Sequence, residues 1–164
     1  MTILSICEWL ESTWPAVLVR ESLYGFQTVV AIHLLGLIFS VGALLWLDLR
    51  LMGVAMKGSR VSDLYRGIAP WFLIGFVAMF VSGTALFAGF ATSAYGNLFF
   101  RIKILIIVLA GVNALVYHFT TGRTMSEWDD SPRPPLPVRL AGLSSIVFWT
   151  IVILAGRMMS YTMF

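Results

Sequence analysis

The sequence predicts an all-α protein: a transmembrane four-helix bundle with a short N-terminal interfacial amphipathic helix. Three observations lead there. The 164 residues are 59% hydrophobic and 12% charged, against about 25% charged in soluble domains, and the mean hydropathy is +0.90. Four apolar stretches each meet the roughly 20 helical residues that a hydrocarbon layer of about 30 Å requires. Alternation of period two is absent, which argues against a membrane barrel. A soluble globule of this size cannot hide so much apolar surface. The net charge of +3 is too small for a nucleic-acid footprint and reads as topology-setting charge. The single cysteine, Cys7, excludes an internal disulfide, an iron–sulfur cluster, a Cys-based zinc site and a c-type haem attachment.

The elements follow in order within one integral membrane domain over residues 1–164. Over residues 1–22, Ile3, Ile6, Cys7, Leu10 and Trp14 recur at helical spacing while Glu8, Glu11 and Ser12 lie elsewhere around the turn, so a short helix in the interface is expected. Two glutamates precede the first basic residue, Arg20, which speaks against a signal peptide. Pro15 is expected to start a new turn leading into the first span. That span covers about 23–47, where Tyr24 and His33 are the ionisable side chains between Glu21 and Asp48. The second covers about 70–92, inside a charge-free interval from Arg66 to Arg101. The third, about 102–121, carries His118, and the fourth, about 140–161, ends near Arg157. Before the fourth, Asp129, Asp130 and the run Pro132, Pro134, Pro135, Pro137 form a stiff polar connector. Four spans place Arg20, Arg101, Lys103 and Arg157 on the side of the termini and Arg50, Lys57, Arg60, Arg66, Arg123, Arg133 and Arg139 on the other. Positive charge concentrates on the cytoplasmic side, so both termini are expected outside.

An ionisable residue within a span is a functional hypothesis by default. His33 and His118, on two different helices, are the minimum set for bis-imidazole ligation of a haem b iron inside a bundle. Gly36 and Ser40 follow His33, and Ala114 and Gly111 precede His118, at spacings that clear room for a flat macrocycle. The same small residues also fit ordinary helix packing. Arg123, about 7 to 8 Å along the axis from His118, is placed to pair a propionate. Depth counts against a shared iron: His33 is central in its span, whereas His118 lies about five residues off centre, a mismatch of roughly 8 to 10 Å. Were a haem held at the depth of His33, Lys103 and Arg157 would become the better partners for its propionates.

Several strings form a familiar pattern: His33-Leu-Leu-Gly36, Asp48-Leu-Arg50-Leu-Met-Gly53, Pro70-Trp71, Ser82-Gly83-Thr84, Phe100-Arg-Ile-Lys103, Asn113 with His118, and Gly156-Arg157. Over nearly its whole length the chain resembles a family of small four-span bacterial membrane proteins catalogued as a domain of unknown function. More distantly it is similar to copper-resistance D-type and cytochrome b561-like membrane proteins. That likeness implies electron transfer across or within the bilayer, often to or from quinone; with the charge count above, the expected place is the bacterial inner membrane, multi-pass, with both termini periplasmic.

The remaining features are less specific. Met158, Met159 and Met163, on the side of Cys7, carry soft ligands suited to copper(I), although methionines also pack well. Asp48 and Arg50 are expected to anchor the first helix end at the interface. Asn113 needs a partner across the bundle. The tryptophans suit aromatic belts; Trp149, mid-span, could neighbour a cofactor. Gly75, Ala78, Ser82 and Gly89 offer a small-residue surface for a homo-oligomer. The leading expectation is a b-type cytochrome in the lipid bilayer, carrying electrons between the quinone pool and a redox partner protein or larger membrane complex. The alternatives are a cofactor-free structural or assembly subunit and a copper-handling protein.

Overall fold

The computed structural model describes residues 2–163, and these contain no strand. The N-terminal segment folds as two helices where one interfacial helix with a new turn was expected: α1 (Ile3–Glu11) and α2 (Trp14–Glu21). They part at Ser12 and Thr13, whose hydroxyls bond back to the carbonyls of Trp9 and Leu10, both at 2.6 Å. Pro15 sits in the first turn of α2, where a missing N–H leaves nothing unpaired. Ser22–Tyr24 then separate α2 from the first long helix.

Four helices are long and apolar enough to cross a membrane: α3 (Gly25–Leu51), α4 (Val61–Gly89), α6 (Leu98–Phe119) and α8 (Leu136–Met163). The chain is a multi-pass membrane protein. The spans coincide with those expected from sequence, but their ends move. α4 begins nine residues before the expected start at Pro70 and runs through that proline. The carbonyl four residues back belongs to exposed Arg66, at the polar end of the helix, where water replaces the lost bond. α4 stops at Gly89, and α5 (Ala91–Gly96) bridges to α6. Asn97 fixes the start of α6 by accepting from the N–H groups of Phe99 and Phe100 at 2.9 and 3.3 Å. The expected connector after α6 contains a 3₁₀ turn (Thr121–Thr124) and α7 (Met125–Trp128). Trp128 is not in an aromatic belt: it is buried with Leu47, Leu51, Val61 and Val138 in the main apolar cluster.

The long helices pair as two hairpins, α3 with α4 and α6 with α8, and the hairpins meet where α3 packs on α8. The α3–α4 seam brings backbone onto backbone. A Cβ on Gly36 would lie 2.7 Å from the Met79 nitrogen, and one on Gly75 only 2.5 Å from the Ser40 nitrogen. Gly36 and Ser40 therefore receive α4, and the room that the sequence suggested for a macrocycle beside them is filled. Gly75, Ser82 and Gly89 are buried within the chain, so that stripe is consumed by intramolecular packing and is not a free oligomer surface.

Polar ties close both ends. At the end holding the termini, Glu11 accepts from the Thr92 N–H at 2.7 Å and from its hydroxyl at 2.6 Å. At the opposite end, which we call the loop end, Arg50 is fully buried and donates to the carbonyls of Ser59 (2.8 Å) and Asp129 (3.2 Å). One side chain thus joins the α3–α4 and α6–α8 connections. Gly53 makes the intervening turn at φ +69°, where a Cβ would press on the Pro132 carbonyl at 3.0 Å. Asp48 is 4% exposed. The expected interfacial anchoring of Asp48 and Arg50 is therefore overturned: both are internal, and they turn to different neighbours.

Candidate functional site in the bundle interior

His33 is half-buried and faces α4. Its Nδ1 lies 3.0 Å from Ser82 Oγ. The Ser82 hydroxyl has one proton, and it is directed to the Ala78 carbonyl of its own helix. Its oxygen is thus the acceptor and His33 Nδ1–H the donor; the Met79 carbonyl is a second acceptor for the ring. In that tautomer the Nε2 lone pair is free for a donor or a metal. Gly83 makes the fit possible, since a Cβ there would meet His33 Cε1 at 3.0 Å.

Lys103 enters the same interior from α6. Its Nζ lies 3.6 Å from where a Cβ on Gly156 of α8 would stand, and it is close enough to His33 to act on it electrostatically. Among the described residues no carboxylate pairs with it. Four helices therefore contribute: His33 from α3, Ser82 and Gly83 from α4, Lys103 from α6, Gly156 from α8. One turn toward the terminal end, Phe87 of α4 stacks on Phe100 of α6 with centroids 5.2 Å apart and planes 6° from parallel.

The other expected ligands lie elsewhere. His118 is on an exposed face of α6, its ring edge-on to Phe119 at 5.3 Å. Gly111 and Ala114 are exposed on that helix too, and nothing approaches the Cβ direction of Gly111 within 4 Å. Arg123 stacks over Phe119 at 5.6 Å, and Arg157 donates to the Tyr161 hydroxyl at 2.9 Å. α3 and α6 are not closely packed on each other. His33 and His118 are thus not brought together within this chain, as the depth mismatch foreshadowed. Asn113 does find its partner, donating to the Ala141 carbonyl of α8 at 3.0 Å. Cys7 is buried, apart from the exposed Met158.

A family model describing a family of unknown function, DUF6644, matches residues 7–162. The chain belongs to that family. No curated protein and no solved structure matches it.

Sequence reasoning missed two polar groups of the interior. Ser82 looked like a small packing residue; only the contact with His33, 49 positions away, gives it a role. Asp48 was visible as an acidic residue ending a span, but not its burial or its neighbour Ser145 on α8. At the loop end, Arg50 Nη1 and Trp128 Nε1 are buried donors without a partner among the described residues.

Proposed function

We propose that this protein is a small b-type cytochrome of the bacterial inner membrane, carrying single electrons between the quinone pool and a partner, with both termini periplasmic. His33 would hold its iron through Nε2, on the side of the ring away from Ser82 and not beside Gly36 and Ser40, where α4 lies. The observation that carries this reading is the pairing, in one interior, of an imidazole with a free Nε2 and a lysine ammonium without a counter-charge. A haem supplies what both lack: a metal for the imidazole and carboxylates for the cation. Bound there, it supplies one-electron chemistry. The chain's own residues then have separate tasks. Ser82 holds the tautomer and orientation of His33, which is how outer partners support a metal-bound imidazole. Lys103 would offset the negative charge of the group, and the Phe87–Phe100 stack would border it on the terminal side. His118 does not complete this site from the same chain; a second axial ligand from another copy remains compatible with its exposure.

The test is a reduced-minus-oxidised optical spectrum of detergent-purified protein from haem-replete cells. We expect a b-type α-band that is lost in His33→Ala, weakened in Lys103→Met and retained in His118→Ala. A flat wild-type spectrum, or a band unaffected by His33→Ala, overturns the assignment and favours a cofactor-free assembly subunit. Copper(I) binding by the same colourless protein, lost on removing Met159 and Met163, would instead identify the copper-handling alternative.

A further inference from the structure

A second site lies between the two hairpins. A cavity of about 130 Å³ opens along the α3–α8 seam, lined by Val41, Leu45 and Asp48 of α3 and by Ile146, Trp149 and Thr150 of α8, among others. A closed cavity of about 150 Å³ accommodates benzene; this one is slightly smaller but open on one side, which limits it to a single six-membered ring that projects partly out of it. Leu45 is 41% exposed, and the cavity therefore opens sideways toward the bilayer. Its inner end is different in character. Asp48 is buried there, with Ser145 of α8 as its polar neighbour, and no cation pairs with it among the described residues. The nearby Arg50 is directed to Ser59 and Asp129. A carboxyl group offers several acceptor positions, more than one serine hydroxyl can fill.

We propose that this groove binds a lipid-soluble hydroxyarene, a one-ring phenol or quinol head on an apolar tail. The ring lies against Trp149, the hydroxyl donates to Asp48, and the tail leaves past Leu45 into the bilayer. Apolar walls with one convergent polar group are the usual make-up of a small-molecule site. A saturated lipid chain would leave Asp48 without a donor, and a water-soluble phenol would make no use of the lateral opening. The groove stands apart from His33, since fifteen residues of α3, about 22 Å, separate Asp48 from it. The inference does not depend on the haem reading.

The experiment is equilibrium dialysis of the full-length protein in detergent against radiolabelled decyl hydroquinone, kept reduced, and against its dimethyl ether. The two probes share ring and tail, but the ether has no hydroxyl to donate. A site built around a hydroxyl rejects the analogue that lacks it. We expect saturable hydroquinone binding, at least tenfold weaker binding of the ether, a similar loss in Asp48→Leu, and no saturable binding in Ile146→Trp, which fills the groove. Equal binding of both probes to the wild type, simple partition into micelles, or undiminished binding in Ile146→Trp overturns the proposal. The probe comparison uses unmutated protein, so a folding defect in Asp48→Leu cannot mask the answer. Ile146→Trp should also keep any haem band, which separates failure here from failure of the cytochrome assignment.

Discussion

Two cations sit inside this molecule, and they are held in opposite ways. Arg50 is fully buried and spends its Nε and Nη2 hydrogens on the carbonyls of Ser59 and Asp129. Lys103 is half-buried over Gly156 and has no carboxylate partner among the described residues. The guanidinium is planar and multidentate, suited to tying two chain segments together, whereas an ammonium on a flexible stem is a movable point charge. The difference teaches where to look for function. Neither cation has a carboxylate partner among the described residues. The one tied to two backbone carbonyls, with only Nη1 left over, is architecture, and the one that makes no hydrogen bond among the described residues is the better place to look for a ligand.

The largest effect that bears on this contrast is expected at Arg50. Arg50→Ala takes the Arg50 donor from the part-buried Ser59 and Asp129 carbonyls, the second of which keeps the Val61 N–H, and opens a void; an unsatisfied group costs about 1–3 kcal/mol. We expect a loss of about 3 kcal/mol, read as a lowered melting temperature in detergent and faster proteolysis at the two loops. An unchanged melting temperature would remove Arg50 from the architecture.

An intermediate effect is expected at Asp129. Its carboxylate accepts from the Ser62 N–H at 2.8 Å and from the Ser62 hydroxyl at 2.6 Å. It thereby caps α4 from a different loop, because Arg60 at the helix's own N-cap makes no side-chain cap bond. These bonds, with Arg60 nearby, hold the Asp129 carboxyl below the usual carboxylate range. A depressed folded value means that the stabilisation is present above the unfolded carboxylate value near 3.9 and is lost as pH falls through the folded value. Loop-end stability should therefore be flat from neutral pH down to about 4 and fall below it. Asp129→Asn should cost about 1 kcal/mol at neutral pH, as loss of a cap does, and should flatten the acid limb. An acid limb identical to the wild type would assign it to other groups.

The smallest effect on folding belongs to Lys103, and its sign sharpens the contrast. Lys103→Met removes an unpaired charge from the interior of a membrane bundle, where such charges are costly. The melting temperature in detergent should stay level or rise slightly. A loss comparable with that of Arg50→Ala would show that Lys103 is structural after all.

Much of the fold is legible in the sequence for a simple reason. Charge-free intervals such as Arg66 to Arg101 are local and long, and the bilayer imposes one length on every span. The ends are less legible. Pro70 reads as a helix start, yet the polar end of α4 tolerates it, and only distant Asp129 explains why that helix begins at Val61. The site is legible in half. His33 and Lys103 declare themselves as ionisable residues in apolar surroundings, and the small residues near His33 are real. Their use is not visible, because helical spacing says that Gly36 and Ser40 share a face without saying whether a cofactor or another backbone lies on it. His118 satisfies the same composition rule as His33 and sits on an exposed face. Which side of α6 meets α8 is settled by contacts such as Asn113 with Ala141, 28 positions apart, beyond any local pattern.

The arrangement of the spans as two hairpins also sets an order of assembly. Synthesis runs from the N-terminus, so α3 and α4 are both complete at Gly89, before any of α6 or α8 has been made. Their glycine-lined seam can close while the second half is still in the ribosome. The α6–α8 hairpin then arrives as a finished unit and joins along α3, the contact that contains the cavity. The joint whose second partner is made last is thus one that keeps a cavity between its helices.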